Sequence, residues 1–224
     1  MLYALGDPIS FLLLALSFLV AVTLHGWLQA LIADRTGDRR PRQEGRLRPD
    51  PRRHVDPFGA VAALIAGVGW ARPVEAPDRR RRGALLAVLL SGAALNLALA
   101  AASLVAFRVL YGGGVSSVSA TLLQHGVTGE SLGVRAALLF GLMNLYVGLL
   151  SLVPLPPLDG GRLLFALAPR SIGWQKAAYQ LVDNNVGVVV LLLLLLLPLG
   201  GPQALLPVIL DDIASPLARL VTGG

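Results

Sequence analysis

The chain of 224 residues has no cysteine, a single lysine, and few charged (14%) or aromatic (6%) side chains. The absence of cysteine excludes disulfide bonds and metal sites built on thiolates. The low charge, with 55% hydrophobic residues and a mean hydropathy of +0.69, excludes an ordinary soluble domain. This composition is typical of a protein that crosses a membrane several times.

The net charge of +6 could indicate a nucleic-acid partner, but the arginines are not spread along the chain. Thirteen of the eighteen lie between Arg35 and Arg82, in two segments that separate apolar runs. Such clusters are typical of the cytoplasmic loops of membrane proteins, where they set orientation and meet anionic headgroups. We therefore expect the lipid bilayer, and no nucleic acid, as a partner.

Long apolar runs dominate the rest of the chain, and a helix needs about 20 such residues to cross a bilayer. The run at 57–70 is too short to cross and contains three glycines, so we expect a re-entrant or hairpin segment. The sequence predicts one all-α polytopic membrane domain, 1–224, with about four transmembrane helices and a tail helix (201–224) at the interface. The predicted spans are 9–32, 84–110, 132–153 and 180–199, and the basic loops are 34–56 and 71–82.

The distribution of basic residues also predicts an orientation. With the N-terminus outside, both basic loops and the stretch from Arg162 to Lys176 lie inside. The loop Tyr111–Glu130 has no lysine or arginine and would lie outside. We therefore expect a plasma-membrane protein with its arginine-rich loops in the cytoplasm.

The stretch Val153–Arg162, VPLPPLDGGR, interrupts the apolar pattern. Its prolines end the preceding helix, because proline fixes φ and lacks an N–H. Asp159 follows at the membrane edge, and an aspartate before glycines is ordinarily a helix cap in a turn. An ionisable group at membrane depth, however, indicates a functional site.

His25 and Gln29 lie four residues apart in the first span, hence on one face of the helix. At 1.5 Å per residue, His25 lies roughly 12 Å inside the inner end of that span. His25, Gln29 and Asp159 can therefore converge at one depth. Taken alone, a single histidine on an apolar helix is more often a hydrogen-bonded packing residue, and a glutamine often joins neighbouring helices.

Five segments in this order resemble the site-2 protease family of intramembrane zinc metalloproteases, in its bacterial branch. They are ALIADRTGD, GRLRPDPRRHVDPFG, GWARPVE, SGAALN with Gly92 and Asn96, and VPLPPLDGGR. In that family, His-Glu-x-x-His on the first core helix provides two zinc ligands and a glutamate base. The aspartate of a Pro-rich Leu-Asp-Gly-Gly provides the third ligand.

The resemblance is degenerate at the centre of the motif. Gly26 stands where the family has the glutamate, and Gln29 stands where it has the second histidine. Only His25 and Asp159 are left as good zinc ligands, whereas a catalytic zinc takes three protein ligands. Losing the general base alone costs about 10²–10⁴-fold in rate. No cofactor is therefore expected.

The resemblance thus implies a site-2-protease-like membrane protein that is inactive and binds a transmembrane helix of another protein in the former substrate cleft. One alternative is an active zinc protease with a non-standard site, for instance His25, Asp159 and His54. A second alternative is a small transporter or channel, although we find no internal repeat. The residues expected to shape the cleft are His54, Asn96, Asn144, Pro156, Pro157, Gly160 and Gly161.

Overall fold

A computed structural model describes residues 1–75, 77–78, 80–169, 171–198 and 203–223. Within these residues the chain is helical, and the only pairing of β type is an antiparallel bridge between Val55 and Ala71. The predicted all-α class is therefore confirmed. The helices are α1 (Pro8–Arg35), α2 (Arg40–Gln43), α3 (Pro51–His54), α4 (Pro57–Ala66), α5 (Arg82–Tyr111), α6 (Ala120–His125), α7 (Leu132–Ser151), α8 (Asp159–Leu167), α9 (Ile172–Ala178), α10 (Val186–Leu196) and α11 (Leu205–Thr222), with a 3₁₀ turn at Leu2–Gly6 and a π-helical segment at Tyr179–Asp183.

Three of these helices, α1, α5 and α7, are long and apolar enough to cross a membrane. A fourth crossing exists if Ile172–Asp183 and Val186–Leu196 together form one span, which is bent by 69°. The described residues thus provide three to four candidate spans, in agreement with the predicted polytopic membrane protein.

Polar caps set the ends of the long helices. Asp7 precedes α1 and accepts a hydrogen bond from the Ile9 N–H, with Pro8 at the first helical position. Ser131 caps α7 through the Val134 N–H, and α5 ends at Gly112 in a left-handed conformation. Because these caps lie beyond the apolar runs, α1 and α5 extend past the predicted spans.

The long helices pack against one another as the core of the molecule. The α5–α7 contact is the most extensive, and two glycines of α7 face it. A Cβ on Gly141 would lie 3.0 Å from the Leu104 side chain, and one on Gly148 would lie 3.1 Å from Leu97. Small residues allow this close approach, which drives association of helices inside a membrane.

The segment 57–70 folds as a hairpin. Its first arm is α4, the chain turns at Gly67 with φ of +82°, and residues 68–73 return beside α4. A Cβ on Gly59 would lie 2.3 Å from the Trp70 carbonyl oxygen, so the two arms touch through their backbones. At the open end, the Arg72 N–H donates to the His54 carbonyl at 2.7 Å. We call residues 68–73 the returning arm.

The fourth span departs from the predicted outline. Its last straight helix, α10, begins only at Val186, because the π-helical segment precedes it and Asn185 adopts φ of 56°. A break at this point separates Ile172–Asp183 from α10. The predicted end at residue 199 lies outside the described residues, as do residues 76 and 79 of the second basic loop.

The tail helix, α11, packs against α5, α7 and α10 of the bundle. Asp211 of α11 accepts hydrogen bonds from the Tyr146 hydroxyl at 2.5 Å, the Ser119 hydroxyl at 2.8 Å and the Ala120 N–H at 2.8 Å. This carboxylate joins α11 to α7 and to the start of α6. Residues 201, 202 and 224 of the predicted tail lie outside the described residues.

The successive directions of α1, α5 and α7 sort the loops into two ends. The loop after α1, the segment before α5 and the stretch after α7 lie at one end, which we call the arginine-rich end. Residues 1–7 and 112–131 lie at the opposite end. Asp159 therefore approaches the C-terminal part of α1 from the arginine-rich end.

Candidate functional site

The three polar residues predicted to converge lie in direct contact. His25 Nε2 lies 2.8 Å from Asp159 Oδ2, and Gln29 Nε2 donates to the same oxygen at 2.8 Å. His25 and Gln29 lie on one face of α1, and Asp159 is the first residue of α8. All three are buried, with at most 6% of each residue exposed. We call these residues the His25–Asp159 cluster.

Asn96 bonds to His25 through the ring nitrogen that does not face Asp159, and Asn144 holds Asn96 in place. Asn96 of α5 donates through Nδ2 to Asn144 Oδ1 at 2.9 Å and to the Ala21 carbonyl at 3.3 Å. Its Oδ1 is therefore left as the acceptor for His25 Nδ1, at 2.7 Å. Nδ1 therefore carries a hydrogen, and Nε2 needs a second hydrogen in order to donate to the Asp159 carboxylate.

The Pro-rich stretch positions Asp159 beside α1. Leu158 occupies the N-cap position of α8, and the Asp159 side chain turns towards α1 instead of capping its own helix. Glycine is needed after it, because a Cβ on Gly160 would lie 2.1 Å from the Leu152 carbonyl oxygen. Gly161 lies as close to the backbone of Leu155 and Pro156, where its Cβ would be 2.3 Å from both.

A cavity of about 10 Å³ lies between these polar groups. That volume is about what one water molecule requires. Trp70, Ala71 and Pro73 of the returning arm line one part of it, and Val147 and Ser151 of α7 line another. Pro157 and Leu158 complete the wall. An extended peptide does not fit into a cavity of this size.

Arg162 also belongs to the site, although the sequence analysis gave it no role there. Its Nη1 lies 3.7 Å from Asp159 Oδ1, one helical turn away along α8. Burial lowers the pKa of Arg162, and the neighbouring Asp159 carboxylate acts in the opposite direction. The spacing of three residues between an aspartate and an arginine at a helix start is the signal that could have identified this pair.

His54 lies beside Gly26 and is fully buried. Its Nε2–H donates to the Arg48 carbonyl at 3.0 Å, and its Nδ1 has no hydrogen-bond partner within the described residues. A Cβ on Gly26 would lie 2.8 Å from this Nδ1. Burial lowers the pKa of His54 and so favours its neutral form.

The residues present do not fit a catalytic zinc ion. Such an ion takes three protein ligands and keeps an open position for water. Here His25 and Asp159 bond to each other, and Gln29 directs an N–H towards the carboxylate. Within the part of the chain that the structure describes, no group of three His, Asp or Glu side chains could hold a metal ion.

Arg46 holds the returning arm over the cluster. Its Nη1 donates to the Pro73 carbonyl and its Nη2 to the Arg72 carbonyl, both at 2.8 Å. Burial lowers the pKa of Arg46 to about 10. Trp27 Nε1–H donates to the Leu47 carbonyl at 3.0 Å, which ties the same loop to α1. In the sequence, Arg46 cannot be told apart from the many other arginines of this loop.

The fold and the cluster together define a class of protein. It is an all-α membrane protein in which a histidine of one span contacts an aspartate. This aspartate follows the Pro-rich stretch that ends a second span. The Bacillus subtilis (strain 168) protein named "Putative zinc metalloprotease YwhC" is 33% identical, and the match covers 84% of this chain and 81% of that protein. The chain therefore belongs to a site-2 protease-like family of membrane proteins. No family model and no solved structure matches it.

Proposed function

We propose that this protein is a catalytically inactive member of its family, which binds a transmembrane helix of a partner protein and does not cut it. The observation that supports this proposal most is the hydrogen bond from Gln29 Nε2 to Asp159 Oδ2. An amide N–H satisfies the carboxylate oxygen at the position from which the family's second histidine would reach a metal ion. We therefore expect the site to need no metal ion.

The missing base supports the same conclusion. Gly26 has no side chain, and the imidazole beside it, His54, is committed through Nε2–H to the Arg48 carbonyl. A positioned general base is typically worth about 10²–10⁴-fold in rate. Because both the ligand set and the base are altered, we expect no peptide hydrolysis.

The first alternative, an active zinc protease, needs His54 to share a metal ion with His25 and Asp159. The described residues contain no such group of three. The second alternative, a transporter or channel, needs a path for its cargo, but the cavity at the polar cluster measures only about 10 Å³. Neither alternative is favoured by a specific contact.

Partner binding is inferred from the hairpin that covers the cluster. The outer face of α4 is apolar and exposed: Phe58 is 57% exposed, Val61 48% and Ile65 42%. A partner helix can pack on this face within the bilayer, where close packing drives association. To reach Asp159, the partner must displace the returning arm. The cleft is closed when no partner is bound.

Cross-linking tests both parts of the proposal, because the chain has no cysteine of its own. Single cysteines introduced as Val61→Cys on α4 and Ala71→Cys on the returning arm should cross-link to a partner span in native membranes. Leu220→Cys is the matched control, since Leu220 is 80% exposed and lies near the end of α11. The captured partner should have its full-length mass.

Two outcomes would contradict the proposal. Capture of a shortened partner, which becomes full-length when a zinc chelator is added, would mean that the protein is an active protease. Equal capture from Val61→Cys, Ala71→Cys and Leu220→Cys would mean that the partner does not bind at the hairpin.

A further inference from the structure

A second cavity, of about 460 Å³, opens at the arginine-rich end, outside the His25–Asp159 cluster. It lies between α8, the junction of α9 with the π-helical segment, and residues 77–78 before α5. Its volume falls in the range of about 300–1,000 Å³ typical of small-molecule sites. Val182 and Asp183 of the π-helical segment, just before the break in the fourth span, form one wall, and π-helical segments often mark functional positions.

The wall of this cavity carries charges of both signs. Arg162 lines it, and the only ion pair of Arg162 among the described residues is with Asp159 at 3.7 Å. Its Nη1 is buried and has no hydrogen-bond partner. Two exposed carboxylates, Asp78 and Asp183, lie at the rim. Asp78 accepts a hydrogen bond from the Arg80 N–H, and no described hydrogen bond or ion pair uses the Asp183 side chain.

Apolar side chains complete the cavity. Phe165 and Ala166 of α8 face Val182 of the π-helical segment across it. Phe165 is further held by an edge-to-face contact with Trp174, with ring centroids 5.7 Å apart. A ligand for this cavity therefore needs an anionic group, a cationic group and an apolar part.

We propose that this cavity binds a phospholipid whose headgroup carries both a phosphate and a primary ammonium, as in phosphatidylethanolamine. The guanidinium of Arg162 can bond to phosphate oxygens, and the ammonium can donate to Asp78 and Asp183. A headgroup that has a phosphate but no ammonium would leave the negative charges of Asp78 and Asp183 without a partner. The glycerol and the start of the acyl chains lie against Phe165 and Val182, where the bilayer begins. This inference does not depend on whether the protein is a protease.

Native mass spectrometry of the delipidated protein in detergent tests this inference with three added lipids: phosphatidylethanolamine, phosphatidylglycerol and phosphatidylcholine. We expect one phosphatidylethanolamine to be retained per chain, about tenfold more tightly than the other two. Phosphatidylglycerol lacks the ammonium, and phosphatidylcholine has a quaternary nitrogen with no N–H. Equal retention of all three lipids would overturn the inference, because it would indicate general annular binding.

Variants test the phosphate-binding arginine and the ammonium-binding aspartates of the headgroup site one at a time. Arg162→Gln should lose phosphatidylethanolamine, whereas Arg52→Gln, an exposed arginine at the same end, should retain it. Because Arg162 also contacts Asp159, its variant could disturb folding, so the exposed rim provides the second test. Asp183→Asn should move the preference towards phosphatidylglycerol without changing the melting temperature. An unchanged lipid preference in Asp183→Asn, or equal losses in Arg162→Gln and Arg52→Gln, would overturn the inference.

Discussion

The Asp159 carboxylate lies among polar side chains of α1 and α8. His25 and Gln29 bond to one oxygen, and Arg162 lies 3.7 Å from the other. A buried carboxylate without such partners would be costly, because burial removes its hydration. Under the proposed function, the glutamine at position 29 stands in place of a metal ligand, and its amide supplies a donor to Asp159.

Gly92 on α5 makes the position of His25 possible. A Cβ at residue 92 would lie 2.4 Å from His25 Nε2, too close for the imidazole to stay in place. We therefore expect Gly92→Ala to destabilise the protein by about 1–3 kcal/mol, the usual cost of overpacking a buried contact. The measurement is thermal or denaturant unfolding in detergent.

Gly83→Ala provides the control for that variant. Gly83 lies on the same helix, α5, and a Cβ there would meet nothing within 4 Å. Its replacement should be neutral or stabilising by up to about 1 kcal/mol, since alanine favours helix more than glycine does. Equal stability of Gly92→Ala and wild type would contradict the described packing of His25.

At the residue scale, the sequence was sufficient for part of the site. The four-residue spacing of His25 and Gln29, and the Pro-rich break before Asp159, predicted which side chains could meet. Arg162 was not recognised, although its spacing of three residues from Asp159 at the start of a helix is visible in the sequence. Periodicity places residues on a face but does not determine how two helices meet at their ends.

At the scale of elements, the hairpin decides whether the cluster is accessible. Its returning arm lines the cavity with Trp70, Ala71 and Pro73, and Arg46 binds the arm through two backbone carbonyls. Hydrogen bonds from a charged donor contribute about 1.5–3 kcal/mol each. Arg46 therefore stabilises the closed arrangement.

Replacing Arg46 by methionine keeps an apolar stem and removes both donors. We expect Arg46→Met to loosen the returning arm, so that a cysteine at Ala71→Cys reacts with a maleimide at least about tenfold faster. Arg48→Met is the control, because the Arg48 side chain is exposed in the same loop. An unchanged labelling rate in Arg46→Met would mean that Arg46 does not hold the arm closed.

Among the elements, the long spans were predictable because hydropathy alone identifies them. The fourth span and the tail helix were less so. The bend at Asn185 comes from a backbone conformation that composition does not reveal. The packing of α11 depends on Asp211, whose three donors come from α7 and the start of α6. Such long-range hydrogen bonds have no signature in a local window of sequence.

At the scale of the whole molecule, the bundle encloses a cluster of polar side chains that bond to one another. The cluster is buried between α1, α5 and α8, and its polar groups are joined to one another and to Asn144 on α7. The match to the Bacillus subtilis protein extends over most of both chains, so the likeness is not confined to one motif.

Zinc content tests this account most directly. Purified wild type should hold no stoichiometric zinc, whereas Gln29→His should bind about one zinc per chain, because it completes a set of three ligands. Gly26→Glu restores only the base and should stay metal-free. The variant with both substitutions should bind zinc. In both variants His54 must shift, because a Cβ at residue 26 would lie 2.8 Å from its Nδ1. If the wild type itself holds one tightly bound zinc, the site is a working metal centre and the proposed inactivity is wrong.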